Sequence, residues 1–325
     1  MKKLYLLTGV TGHLGSVTAK ELLRTGHDIR ALVLRGEEAL VPQGVACVTG
    51  DVRDRRSLVP FFERGGYDRV TLIHCAGVIS ILSAPDPRLH EINVTGTKNI
   101  MEAAAEAGTE RAVYVSSVHA IPERPFPELT RETKEFSPET VYGQYARSKA
   151  EATAIVLAYA EKGLNVSVVH PSGIIGPGDL RGSNHSVNTL KAMRAGRIRI
   201  SVRGGYDFVD VRDAAAGILL CEERGAAGEC YILSGHYITI TEMLRLVRSL
   251  SGRRAARLTL PAWTVRAAAP LTERFSLRFG NGKPLLTPCS AKTLLAGVRF
   301  SREKAERELG YRVRPTEESI RDTLL

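Results

Sequence analysis

Short apolar runs and segments of helical spacing alternate along the first 170 or so positions of this chain. LYLLTG (4–9) ends in glycine, and VTGHLGSVTAKELLRTGH behind it carries apolar residues at helical spacing as far as Gly26. A buried strand, a tight turn and a helix are the natural reading. DIRALVL (28–34), GVACVTGDV (44–52), RVTLIHCAG (69–77) and RAVYVSSV (111–118) predict further strands, with NVTGTKNIMEAAAEAG (93–108) as a helix among them. LNVSVVHPSGIIGPGD (164–179) predicts one more strand running into a Gly/Pro-rich loop. Apolar strands alternating with helices imply parallel strands joined by right-handed crossovers. The expected fold class is therefore α/β, a doubly wound parallel sheet covered on both faces.

Beyond about residue 172 the alternation weakens. The expected division is a dinucleotide-binding domain of residues 1–171 plus about 206–233, and a smaller, discontinuous C-terminal substrate-binding cap of about 172–205 and 234–325. CYIL (230–233) is a candidate return to the main sheet, and DFVDVRD (207–213) is expected to anchor the two parts, with Asp210 and Asp213 capping or pairing. PAWTVRAAAPLTERFSLRF (261–279) holds Trp263, Arg266, Arg274 and Arg278. It reads as a lid or a plain cap helix, with a helix seeking a membrane surface as the alternative.

Composition changes this picture little. The 325 residues are 43% hydrophobic, enough to bury a large core. The net charge of +10 suits an anionic ligand, but the basic residues are spread over the whole length, which argues against a nucleic-acid surface. The five cysteines, Cys47, Cys75, Cys221, Cys230 and Cys289, are widely spaced and show no metal-ligand pairing, so no metal is expected and a reducing compartment is. MKKLYLLTG meets Gly9 too soon for a signal peptide, and no run approaches the roughly 18 apolar residues of a membrane span. A cytoplasmic location is expected.

Chemistry first shows in TGVTGHLG (8–15). Gly9, Gly12 and Gly15 stand at three-residue intervals where strand becomes helix, with Thr11, His13 and Leu14 between and beside them. The first glycine allows the tight turn, the second lets backbone approach a pyrophosphate, and the third lets helix pack on strand; free N–H groups at the helix start hold the anion. A simple tight turn is the bland alternative. At the end of the second strand, LVLRGEE offers Arg35 where an NAD-type fold usually has an acid. A guanidinium matches a 2′-phosphate, so NADP(H) is favoured over NAD(H). In the other reading Arg35 faces solvent and Glu37 turns back to the ribose.

With these motifs in view, the chain resembles the extended short-chain dehydrogenase/reductase superfamily, also called the NAD-dependent epimerase/dehydratase family. The resemblance rests on TGVTGHLG, GDVRD (50–54), HCAG (74–77), NVTGT (93–97), YVSS (114–117), YARSK (145–149), HPSGIIGPGD (170–179) and DFVDVRDAA (207–215), in that order over nearly the full length. It implies a Rossmann sheet, with Asp51 and Val52 beside the adenine, and Cys75, Ala76 and Gly77 under the cofactor. Asn93 would order the active-site backbone and water, Lys149 and the segment His170, Pro171, Ser172 and Gly173 would join the cofactor site, and Ser117, Tyr145 and Lys149 would be the catalytic group. Dehydratases typically place Asp-Glu after the serine, where this chain has Val118 and His119; epimerases carry an asparagine where it has Ser172 and Gly173. That form looks like the dihydroflavonol-reductase and 3β-hydroxysteroid-dehydrogenase branch, as does the tail FSREKAERELGYRVRPTEESI (300–320). Family members commonly dimerise through two helices, so a homodimer is implied.

YGQYARSK (142–149) offers two phenols to one lysine. Residues four apart on a helix are separated by about 6 Å along the axis and residues seven apart by about 10.5 Å, so Tyr145 is within reach of Lys149 and Tyr142 is not. A lysine ammonium about 4 Å away would lower a tyrosine pKa by up to about three units before desolvation takes its share. Ser117 at a strand end would polarise a carbonyl. Tyr142 and His119 are candidate substrate contacts, against packing or solvation, and His74 reads as a hydrogen-bonded core histidine. The expected activity is NAD(P)-dependent reduction of a ketone, or oxidation of a secondary alcohol, of a fairly apolar small molecule. A nucleotide-sugar epimerase or reductase and a non-catalytic NADP-binding regulator remain as alternatives. Ser117 lacks the G-x-S-x-G elbow of a hydrolase.

Overall fold

The computed structural model describes all residues except 1, 125, 253–257, 280–283 and 285. Seven strands, β1 (Lys3–Thr8), β2 (Asp28–Val33), β3 (Ala46–Thr49), β4 (Arg69–His74), β5 (Arg111–Val115), β6 (Val166–Pro171) and β7 (Cys230–Leu233), form one sheet in the order β7-β6-β5-β4-β1-β2-β3. Every pairing in it is parallel. CYIL does return to this sheet, beside β6.

Period-two alternation splits each strand between two cores. Leu4 and Leu6 of β1 enter one with Leu72, Ile100, Met101 and Tyr114, while Tyr5 and Leu7 enter the other with Ile73, Val113, Val169 and Ile218. The strands read as unbroken apolar runs because both faces are covered, by helices such as α1 (His13–Arg24) and α2 (Thr97–Glu106). The expected helix over 93–108 starts earlier, at Leu89, as a π-helix through Gly96 that continues into α2.

The order reverses between β1 and β4, which are paired although 60 positions of chain and two strands on the far side separate them. In such sheets the crevice at the carboxyl ends of the strands flanking that switch is where ligands bind. The loops after Thr8, His74 and Val115 all open there.

Residues 205–210 pair outside the main sheet. Gly205–Asp210 runs parallel to Gly173–Ile175 and antiparallel to His236–Thr239 in a three-stranded sheet. Ile175, Leu190, Met243, Leu244 and Ile320 form the core beside it. Asp210 caps and pairs with Arg212, and Asp213 accepts from the backbone N and the Nε of Arg314, so the segment is tied to both α3 (Val211–Arg224) and the C-terminal region. Among the described residues no helix is long and apolar enough to cross a membrane.

Candidate active site

The glycine loop is a built cradle. Gly9 has φ of +73°, and a Cβ on it would stand 2.7 Å from Ala76 N, so the turn and the neighbouring loop after β4 close on each other only through glycine. A Cβ on Gly15 would lie 2.1 Å from Gly9 O, which is why helix and strand can pack there. Over Gly12 a Cβ would meet only the Gly9 carbonyl, at 3.3 Å, leaving that face open. Gly12 starts α1 with no side-chain cap, so the first amides of the helix are left for an anion. Leu14 packs at the edge of the core. His13 bonds Pro177 O through Nε2 and Asn184 through Nδ1, each at 3.0 Å, tying the loop to the segment after β6.

Thr11 donates to Glu37 at 2.9 Å and accepts from Arg181 at 3.1 Å, and Arg181 pairs with Glu37 at 2.9 Å. Arg35 is exposed. The acid two residues on, rather than the arginine, turns back to the loop, and the sequence carried no sign of Arg181 as its partner.

On the other side of the crevice, Ala76 N donates to Thr8 Oγ1, and Cys75 is held as a thiol, its pKa pushed up to about 12 by burial. Asp51 is clamped by the Arg53 guanidinium, which with the Arg53 amide holds its carboxyl below the usual range. Val52 packs under Gly96, and its carbonyl accepts from Asn99. Asn93 is fully buried and holds Val78 at both backbone groups, accepting from N at 2.8 Å and donating to O at 2.9 Å, with a further bond to Ser148. Gly77 thereby sits on a fixed backbone; a Cβ there would lie 3.4 Å from Lys149 Nζ and 3.2 Å from Asn93 Oδ1.

Tyr145 and Lys149 both rise from α4 (Gln144–Glu161), whose start at Gly143 has φ of +93°. Ser117 acts on the Tyr145 phenol and itself caps the short turn Val118–Ala120. Burial pushes the Tyr145 phenol up to about 12, Ser117 offsetting part of the rise. Burial also brings Lys149 down to about 8. Its ammonium donates to Val115 O at 2.8 Å and to the Tyr114 hydroxyl at 3.3 Å. The expected lowering of the phenol by the lysine does not occur: burial raises it, Ser117 alone offsets part of the rise, and the ammonium is spent on β5.

His119 stacks on Tyr206 (5.6 Å between ring centroids) and bonds its hydroxyl at 3.0 Å, and it meets Tyr145 edge-on at 6.0 Å. Burial lowers it to about 4, so it is neutral at pH 7. It forms a wall beside the phenol, and Tyr206 is a residue the sequence did not point to. Tyr142 is exposed and lies under the Lys292 ammonium at 3.5 Å. His170 bonds Ser117 O at 3.0 Å and stacks on Phe136, so it supports the serine from behind; Pro171 ends β6, Ser172 is buried, and Gly173 packs against the Phe208 ring. His74 is the hydrogen-bonded core histidine expected, between Thr8 and Thr97.

An uncapped helix start, a glycine with open space over it, and a buried ammonium edged by a second bare glycine are what a nicotinamide dinucleotide requires, and the residues fit one. The model of the NAD dependent epimerase/dehydratase family matches residues 5–234. The chain belongs to that family. Over 311 residues it is 35% identical to sterol demethylase protein B of Methylococcus capsulatus, covering 94% of this chain and 92% of that one. It is 30% identical to 4-hydroxy-2-methyl-3-oxo-4-farnesyl-3,4-dihydroquinoline-1-oxide ketoreductase of Stigmatella aurantiaca, covering 98% and 94%. The crystal structure of gox2253 superposes with a TM-score of 0.83 at 32% identity, covering 99% and 96%. This family member is an oxidoreductase of the short-chain dehydrogenase/reductase type.

Proposed function

We propose that the protein reduces a ketone on a largely apolar small molecule, with NADP(H) preferred. The observation that carries this reading is the Tyr145 phenol set edge-on to His119 at 6.0 Å and acted on by Ser117, with burial pushing its pKa up to about 12 so that it stays protonated. A phenol kept protonated at neutral pH is a proton donor first, which suits reduction.

The nicotinamide, when bound, supplies the hydride. Tyr145 gives its phenolic proton to the carbonyl oxygen, and the Ser117 hydroxyl donates a second hydrogen bond to that oxygen, polarising it. Lys149 places a positive charge behind the phenolate that results. His119 and Tyr206, neutral and stacked, present an aromatic wall suited to an apolar substrate rather than to a sugar nucleotide. Residues 172–205 and 234–325 are the cap that would select it. NADP(H) is favoured because Glu37, the acid that reaches the loop, is already paired with Arg181, and Arg35 is exposed two residues before it. The ketoreductase relative named above acts on a farnesylated ketone by its own name, which supports an apolar substrate class.

The test is consumption of NADPH and NADH by purified protein across steroid, flavonoid and aromatic ketones, with Tyr145→Phe alongside. Turnover lost in the variant with cofactor binding retained is expected. Unchanged turnover in the variant would overturn the assignment of Tyr145, and inert ketones with interconversion of a UDP-sugar would make the protein an epimerase.

A further inference from the structure

Helix α5 (Ala262–Phe279) turns its large apolar side chains outward. Val265, Ala269 and Glu273 face the protein, while Trp263, Leu271, Phe275 and Phe279 are 66–74% exposed. At 3.6 residues per turn these four span an arc of about 160°. Arg274 and Arg278 fall inside the same arc, and Arg266 lies about 60° beyond its edge, exposed on the flank next to Glu273. Among the described residues none of the three makes an ion pair. The only acid on the helix, Glu273, is turned inward, where it accepts from Ser83 N at 2.7 Å and Ser83 Oγ at 2.9 Å. The outer face is therefore apolar and cationic with no carboxylate.

An apolar face of this size exposed on a folded chain marks a contact surface. Its charge selects the partner. A symmetric pairing of two copies through this face would bring the arginines of both into one interface with no carboxylate from either helix. An anionic bilayer answers both features, because aromatic and leucine side chains enter the headgroup boundary while arginine stems bury and their guanidiniums stay with the phosphates. We propose that α5 docks the protein on an anionic phospholipid surface.

The docked helix would stand next to the site. Ser83, which holds Glu273, also offers its carbonyl to Gln144 Nε2, as does Ala84, and Gln144 immediately precedes Tyr145. A cleft of about 540 Å³ lies between α5 and this segment, walled by Pro270, Leu277 and Pro288. A substrate of the apolar class proposed above would enter from the lipid by that cleft. This extension rests on the proposed function; the docking itself does not.

Trp263 is the one tryptophan in the chain, so intrinsic fluorescence reports on α5 alone. The full chain is mixed with vesicles of phosphatidylcholine, or of phosphatidylcholine with phosphatidylglycerol. Co-sedimentation and a blue shift of the emission are expected with the anionic vesicles only, both weakened by salt. Phe275→Ser with Phe279→Ser, and separately Arg274→Gln with Arg278→Gln, should each lower binding about tenfold or more while leaving the unfolding midpoint unchanged. Tyr145→Phe should bind vesicles normally, which separates this proposal from the catalytic one. No shift and no sedimentation with anionic vesicles overturns the proposal. So does binding that survives both double variants, or a blue shift that grows with protein concentration without vesicles, which would make the face a self-association surface.

Discussion

The Lys149 ammonium and the bare Cα of Gly77 face each other closely: a Cβ there would stand 3.4 Å from Nζ and 3.2 Å from Asn93 Oδ1, a few tenths of an ångström tighter than a relaxed contact. The lysine is held by Val115 O and Asn93 by both backbone groups of Val78, so neither gives way without losing a bond. Gly77→Ala is expected to cost on the order of 1 kcal/mol in stability and to raise the NADPH dissociation constant at least about tenfold. Urea unfolding and a fluorescence titration measure the two. An unchanged constant would mean that the dinucleotide does not pass over Gly77.

The contact of Glu37 with Thr11 and Arg181 is expected to make cofactor choice adjustable through Arg181. Removing the guanidinium in Arg181→Ala releases a carboxylate beside the loop, which repels a 2′-phosphate and can accept from a ribose diol. The ratio of NADPH to NADH dissociation constants should rise roughly tenfold. Glu37→Gln should lower it. Equal effects on both cofactors would show that the cluster only closes the loop.

The parts of this arrangement that sequence makes legible are those with local causes. β1, β4, β5 and β6 show as apolar runs because both their faces are covered, and Gly15 is required by the Gly9 carbonyl six positions back in the same turn, whereas the close approach that requires Gly9 is to Ala76, far along the chain. Tyr145 stands four positions before Lys149 on one helix, as the spacing suggests, while Tyr142 falls outside that helix, which begins only at Gln144. The Tyr206 bond to His119 spans 87 positions, Arg181 lies 170 from Thr11 and Glu273 lies 190 from Ser83. Such contacts leave no periodicity to read. The same limit applies to the Tyr145 acidity: spacing gives the reach of Lys149, while burial, which decides the direction of the shift, is a property of the whole fold.

Two fully buried histidines tie stability to pH. Burial lowers His74 to about 3 and His170 to about 4, against about 6.5 in the unfolded chain. The unfolded state binds more protons between those values, so their contribution is complete above pH 6.5 and is lost as pH falls towards 4. Each loses up to about 1.4 kcal/mol per pH unit in that window. Urea unfolding should show roughly 4 kcal/mol less stability at pH 5 than at pH 7 from the pair, and His170→Asn should reduce the slope. A flat profile between pH 7 and 5 would mean that these rings gain protons in the folded state.

Lys149 is expected to set the alkaline limit of the proposed ketone reduction. With its pKa brought down to about 8 by burial, it loses its charge well before the Tyr145 phenol, at about 12, loses its proton. If the charge is what supports the phenolate, kcat for ketone reduction at saturating NADPH should be level near pH 7 and fall about tenfold per unit above pH 8. In Lys149→Arg the cation cannot deprotonate in this range, but a planar fork replaces a compact ammonium at the Val115 carbonyl and the Tyr114 hydroxyl. The variant should therefore be slower at pH 7 and lack the fall above pH 8. A variant that keeps the same descending limb would assign that ionisation to a different group and leave Lys149 a positioning residue for β5.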